Sequence, residues 1–196
     1  MPCAGRGRER PGDFDSRPAL SVPTPNIRPM SMIGNYARLT PAELERVVHD
    51  PDWGRKFIGE LAETEPDERS GASPARCFDT DKAWHALDFL LRRQAFPVDV
   101  VFGEEEIPGA DGWGQGPPCY LTPGRVRAAA EAFAAMPAAA LVSGVTPDDL
   151  VQADIYPDII WVGDESLDYV TNYYQALVPF FQAAAHDGHA MVVWIG

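Results

Sequence analysis

Apolar positions along the chain switch between two spacings, and the switches mark the elements. Ile33, Tyr36 and Leu39 anchor a short strand over 33–39, although the alternation is not strict. Thr40-Pro41-Ala42-Glu43 then opens a helix. The Thr hydroxyl can accept from a free first-turn amide, Pro suits the first helical position, and Glu43 completes a capping box. Leu44, Val47 and Val48 form its inward stripe. A second helix follows Asp50-Pro51, with Trp53, Phe57, Ile58 and Leu61 on one face. Residues 63–76 are polar, contain two prolines and a glycine, and read as a loop.

The pattern predicts a helix over 79–93, capped by Asp79 or Thr80, with Trp84, Leu87 and Leu91 recurring at helical spacing. Residues 96–102 form a short β-prone run, and 104–116 an acidic, then glycine-rich loop. Cys119-Tyr120-Leu121 leads into a second Thr-Pro start at Thr122-Pro123, for a helix to about Met136. Thr146-Pro147-Asp148-Asp149 begins another. The last helix runs from about Asp164 to Ala185, with Leu167, Val170, Tyr174, Leu177 and Phe181 inward. Pro179 should kink or split it, and Gly188 should end it in a left-handed cap. Ala190–Ile195 is continuously apolar, as suits a strand covered on both faces. The order of elements predicts an α/β fold, with α+β as the alternative: a small sheet holding the 33–39 and 190–195 strands, the latter in its interior, covered by helices.

Residues 1–29 show neither spacing. They carry six prolines and five arginines, and read as a disordered tail or an over-extended start, leaving 30–196 as a single domain. No run approaches the roughly 18 apolar residues of a membrane span, and the N-terminus lacks the apolar core of a secretory signal. Three cysteines, Cys3, Cys77 and Cys119, without CxxC spacing, argue against a disulfide framework or zinc site and fit a reducing cytoplasm. The formal charge of −13 is unevenly spread: the tail has five basic and three acidic residues, and the remaining eleven basic and twenty-six acidic residues leave −15. That field repels phosphate backbones and disfavours nucleic acid. It favours a basic partner, or serves solubility alone.

Several segments together resemble the YfbM-like family of small bacterial domains of unknown function. They are the Met-x-Met-Ile-Gly start (Met30, Met32, Ile33, Gly34), Asp81-Lys82-Ala83-Trp84-His85-Ala86-Leu87, Gly116-Pro117-Pro118-x-Tyr120-Leu121-Thr122-Pro123, and Ile155-Tyr156-Pro157 with the closing helix and strand. The resemblance covers 30–196 and implies a three-layer α/β sandwich. It brings no activity with it, and members often carry a basic residue where this chain has Cys119.

Asp81, His85 and Asp88 fall at i, i+4 and i+7 of the expected helix and would share a face. A histidine between carboxylates can act as a general base or join a metal site, but no HExxH-type motif completes one. Against this stands the plainer reading: Asp81 favours a helix N-terminus and His85 is a hydrogen-bonded, partly buried residue. Gly112-Trp113-Gly114-Gln115-Gly116 fails as a phosphate loop, since Pro117 lacks an amide donor and Glu104, Glu105 and Glu106 are nearby. It reads as a structural turn, or as a mobile or partner-contacting loop in which an exposed Trp113 and the three glutamates bind. His186-Asp187-Gly188-His189 reads as a helix C-terminus, Cys119 lacks a visible base, and Asp148, Asp149, Asp154 and Asp158 read mainly as helix-start charges. No metal or cofactor is expected. The leading expectation is a cytoplasmic, non-enzymatic interaction domain for a basic partner, of which an immunity-type protein is one form. The alternative is a small enzyme, in the manner of a hydrolase, with a cleft near the His85 helix and the 112–118 loop.

Overall fold

The computed structural model describes residues 31–64, 75–163 and 165–196, so the tail and most of the 63–76 loop lie outside the described residues. Five strands form one antiparallel sheet: β1 (Gly34–Leu39), β2 (Cys77–Asp79), β3 (Glu105–Glu106), β4 (Cys119–Leu121) and β5 (Ala190–Ile195), in the order β2-β1-β5-β4-β3. The wholly apolar strand is therefore central, as its composition requires. Its side chains alternate between two cores. Met191, Val193 and Ile195 face α3 (Trp84–Arg93), α4 (Pro123–Ala135) and α7 (Glu165–His186), while Ala190 and Val192 face α1 (Pro41–His49) and α2 (Pro51–Thr64). Helices on both sides of the sheet give three layers. Strands β1 and β5 pair along their full lengths, and Ile33 and Gly196 exchange backbone hydrogen bonds of 2.7 and 2.9 Å.

The helix starts follow from their caps. The Glu43 N–H donates to Thr40 Oγ1 (3.3 Å), and the Thr40 N–H donates to Glu43 Oε2 (2.8 Å). The Arg125 N–H donates to Thr122 Oγ1 (3.4 Å). At α6 (Pro147–Gln152), both the N–H and the hydroxyl of Thr146 donate to Asp149 Oδ2. Helix α7 ends as expected: Gly188 has φ +67°, and the N–H groups of His189 and Gly188 reach back to Ala184 O and Ala185 O, a Schellman pair.

Four expectations need correction. The 79–93 helix is shorter, because Asp79 ends β2, Asp81 takes φ +44° and a 3-10 turn spans Asp81–Ala83 before α3 starts at Trp84. Residues 96–102 are turns rather than a strand: Pro97 lacks a ladder donor, and Asp99 Oδ1 accepts from the Phe102 N–H (2.9 Å) and folds the chain back. Val98, Val100 and Val101 are buried all the same, which is why the run reads as apolar. The acidic loop contains β3. Helix α7 is not split at Pro179, where one backbone hydrogen bond is lost but Leu177, Phe180 and Phe181 on either side are buried and hold the helix by packing. A short helix, α5 (Ala138–Leu141), was not foreseen.

Candidate functional site

The structure does not bring Asp81, His85 and Asp88 together as one constellation. With Asp81 in the left-handed region at the start of the 3-10 turn, the helical spacing to His85 is broken. Its carboxylate accepts from the Tyr169 hydroxyl (3.0 Å), whose oxygen in turn accepts from the Lys82 N–H (3.1 Å). His85 lies flat against Trp84 (centroids 4.9 Å apart, 13° between planes), and its Nδ1 accepts from the Tyr156 N–H (2.9 Å). Asp88 pairs with Arg92 (2.6 Å), which also holds Asp99 (3.0 Å). Burial pushes the Asp88 carboxyl above its ordinary value, and Arg92 offsets only part of that. Each of the three side chains is occupied by a separate structural partner. Among the described residues no group of three or more His, Cys, Asp or Glu side chains is placed to hold a metal.

The acidic triplet is likewise divided. Glu105 pairs in register with Tyr120 and Glu106 with Cys119, so consecutive residues face opposite sides of the sheet. Glu104 takes two hydrogen bonds from Arg125 of α4, each 2.5 Å, and these hold its carboxyl below the ordinary range. Glu105 accepts from the Tyr120 hydroxyl (2.6 Å). Trp113 is only 8 % exposed, which corrects the expectation of an exposed ring. It meets Trp194 edge to face at 5.8 Å. The loop around it is fastened to the end of β5: the Gln115 N–H donates to Ile195 O (2.6 Å), and a Cβ on Gly114 would lie 1.9 Å from the same oxygen. A loop so closely pinned is a structural turn.

Trp113 nevertheless lines a cleft of about 400 Å³, which α2 and the end of the sheet form together. Asn35, Asp79 and Trp194 lie side by side on its floor, since Asn35 pairs with Asp79 on one side and Trp194 on the other. Arg55, Ile58 and Gly59 of α2 form a wall. The cleft adjoins the 112–118 loop but not the His85 helix, so the two parts of the expected enzyme cleft are separate. Beside α3 there is a hollow of about 130 Å³, lined by the Asp88–Arg92–Asp99 group. Cys119 is a poor nucleophile: burial first, then the Glu106 and Asp99 carboxylates, push its thiol up.

Sequence reasoning overlooked two sets of residues. Asn35, Arg55 and Asp79 are single polar residues in ordinary elements, and only the strand register brings two of them together. Ile159 and Val162 were passed over within an acidic stretch, yet they are 80 % and 78 % exposed. The signal for them was two aliphatics in the turn-rich 157–163 segment, Pro-Asp-Ile-Ile-Trp-Val-Gly, where only Pro157 and Trp161 are buried. Val162 borders a hollow of about 320 Å³ with Asp81, Lys82, Glu165 and Tyr169.

This three-layer domain, with its closing helix and central C-terminal strand, defines a known class. Residues 30–194 match the model of a family described as Domain of unknown function (DUF1877), and the chain belongs to that family. Among solved structures it is similar to the protein of unknown function YfbM from Escherichia coli, with a TM-score of 0.59 at 16 % identity, over 84 % of this chain and 99 % of that one. That likeness shows the fold. None of the curated proteins matches the chain.

Proposed function

We propose that the protein is a non-enzymatic binding domain that meets a basic protein partner through the segment leading from α6 into α7. One observation carries the reading: Ile159 and Val162 stand almost fully exposed within four residues of each other. Val151, half exposed on α6, is another large apolar residue of this segment left in solvent. Isolated exposed aliphatics are ordinary, but a group of them marks an interaction surface. Asp154, Asp158, Glu165 and Asp168 are exposed along the same segment, and none forms an ion pair among the described residues. Lys82 shares the hollow beside Val162, so the local field is not uniformly negative.

A complementary partner offers an apolar recess ringed by Lys or Arg. Its immunity-type form is the masking of a cationic groove on a toxin. The dispersal of Asp81, His85 and Asp88 into separate structural contacts supports binding over catalysis.

The test is affinity capture from native lysate at about 0.05 M and about 0.5 M salt, using wild type and an Ile159→Ser/Val162→Ser variant. Exposed charges are screened beyond roughly 10 Å at 0.1 M, so association with the partner should slow steeply at high salt. The double variant should retain its fold and lose the partner. A partner bound equally by both proteins, or equally at both salt concentrations, would refute this reading.

A further inference from the structure

The cleft between α2 and the sheet carries a second, independent inference. Its floor is the row Asp79–Asn35–Trp194, set by strand register on the side of the sheet facing α2. The space above that row exists because α2 presents Gly59 there; a Cβ on Gly59 would meet no atom within 4 Å. Trp113, perpendicular to Trp194 (88°), adds an aromatic wall. About 400 Å³ lies within the range of small-molecule sites.

The polar groups of the cleft are opposed in charge and only partly used. Asp79 accepts the Asp81 N–H through Oδ1 (2.9 Å), and among the described residues no donor reaches its second oxygen. Asn35 donates through its amide nitrogen to Ile33 O (2.9 Å), which leaves its carbonyl oxygen to accept. Both acceptors suit an ammonium group, as do the faces of the tryptophans. Arg55 lines the same cleft, and neither it nor Asp79 forms an ion pair among the described residues. Its planar guanidinium suits a carboxylate. An ammonium site, a carboxylate site and an apolar wall in one small cleft describe a zwitterion with an apolar body. We propose that this cleft binds a free α-amino acid with an apolar side chain. A ligand bearing only one of the charges leaves Arg55 or Asp79 desolvated without a partner, so it is discriminated against.

Titration calorimetry with L-phenylalanine, L-leucine and L-methionine tests this, with phenethylamine and 3-phenylpropionate as single-charge analogues. At least one amino acid should saturate the protein in the millimolar range or below. Each analogue should bind about tenfold more weakly or worse. Gly59→Met should fill the cleft and abolish binding while the thermal midpoint holds or rises, since glycine disfavours a helix. Arg55→Gln, at an exposed position, should remove the preference for L-phenylalanine over phenethylamine while leaving the fold intact. Saturation by none of the three amino acids overturns the proposal, as does equal affinity for either analogue. So does unchanged binding in either variant.

Discussion

His85 shows how a chemically suggestive residue is held in a structural role. Its Nδ1 accepts a backbone hydrogen bond, so the proton of the neutral ring sits on Nε2, and the ring is stacked on Trp84. Trp84 in turn donates from its indole nitrogen to Met32 O (3.1 Å), and the Met32 N–H donates to the Tyr156 hydroxyl oxygen (3.0 Å). The ring thus ties the segment before β1 to Tyr156 across α3. His85→Ala should cost about 1–3 kcal/mol in urea unfolding, because the Tyr156 N–H loses its acceptor. Stoichiometric metal in protein purified without chelators, lost in that variant, would instead make His85 a ligand. Cys119 permits a second check. With its thiol pushed up, a Cys3→Ser/Cys77→Ser variant should react with a disulfide reagent more slowly at pH 7 than a free thiol does, and reach the free rate only in alkali. Fast labelling at neutral pH would indicate an activated thiolate.

Among the elements, β5 is covered on both faces and hydrogen-bonded on both edges. Val193 lies between Tyr36 of β1 and Cys119 of β4 in the core beneath α7. Val193→Asp should abolish soluble folding, as an unpaired buried carboxylate costs several kcal/mol; recovery of a cooperatively folded variant would place the strand at the periphery. This strand was legible in the sequence because two-sided burial leaves an unbroken apolar run. The three Thr-Pro starts were legible because their caps are formed within four residues. The turns at 96–102 were not, because Val98, Val100 and Val101 are as buried as strand residues and only Pro97 and Asp99 reveal the turn. Trp113 was misjudged because glycines suggest freedom, whereas Gly114 is needed for close approach to Ile195 O. The candidate site was least legible of all. Asp79, Asn35 and Trp194 are 159 residues apart at the extremes of their numbering and meet only through pairing across three strands.

At the scale of the molecule, the closing turn from α7 into β5 joins both layers to the sheet through a charged cluster whose protonation should govern stability in acid. Arg38, only 1 % exposed, donates to Asp187 (2.5 Å), and Arg76 pairs with Glu43 (2.5 Å). His189 lies near them, its Nδ1 buried without a hydrogen-bond partner among the described residues. Burial, and then the Arg38 and Arg76 charges, lower its pKa below the ordinary 6.5. The native state therefore resists a proton that the unfolded chain accepts. The stability from neutral His189 is complete above pH 6.5 and declines as pH falls below that value. A second loss follows at lower pH. The Asp187 carboxyl is held below its ordinary value by His186 and then Arg38. Burial raises that of Glu43, but hydrogen bonds from Arg76 and Thr40 outweigh it and leave it lowered. Their stabilisation is present above the ordinary carboxylate range and disappears as pH falls through the lowered values. Urea midpoints should accordingly decline in two stages, first between about pH 7 and 5 and then below about pH 4.5. His189→Gln should flatten the first stage and leave the second in place. If the decline between pH 7 and 5 persists unchanged in that variant, His189 is not its source, and the charged cluster at this turn does not set the upper limb of the acid profile.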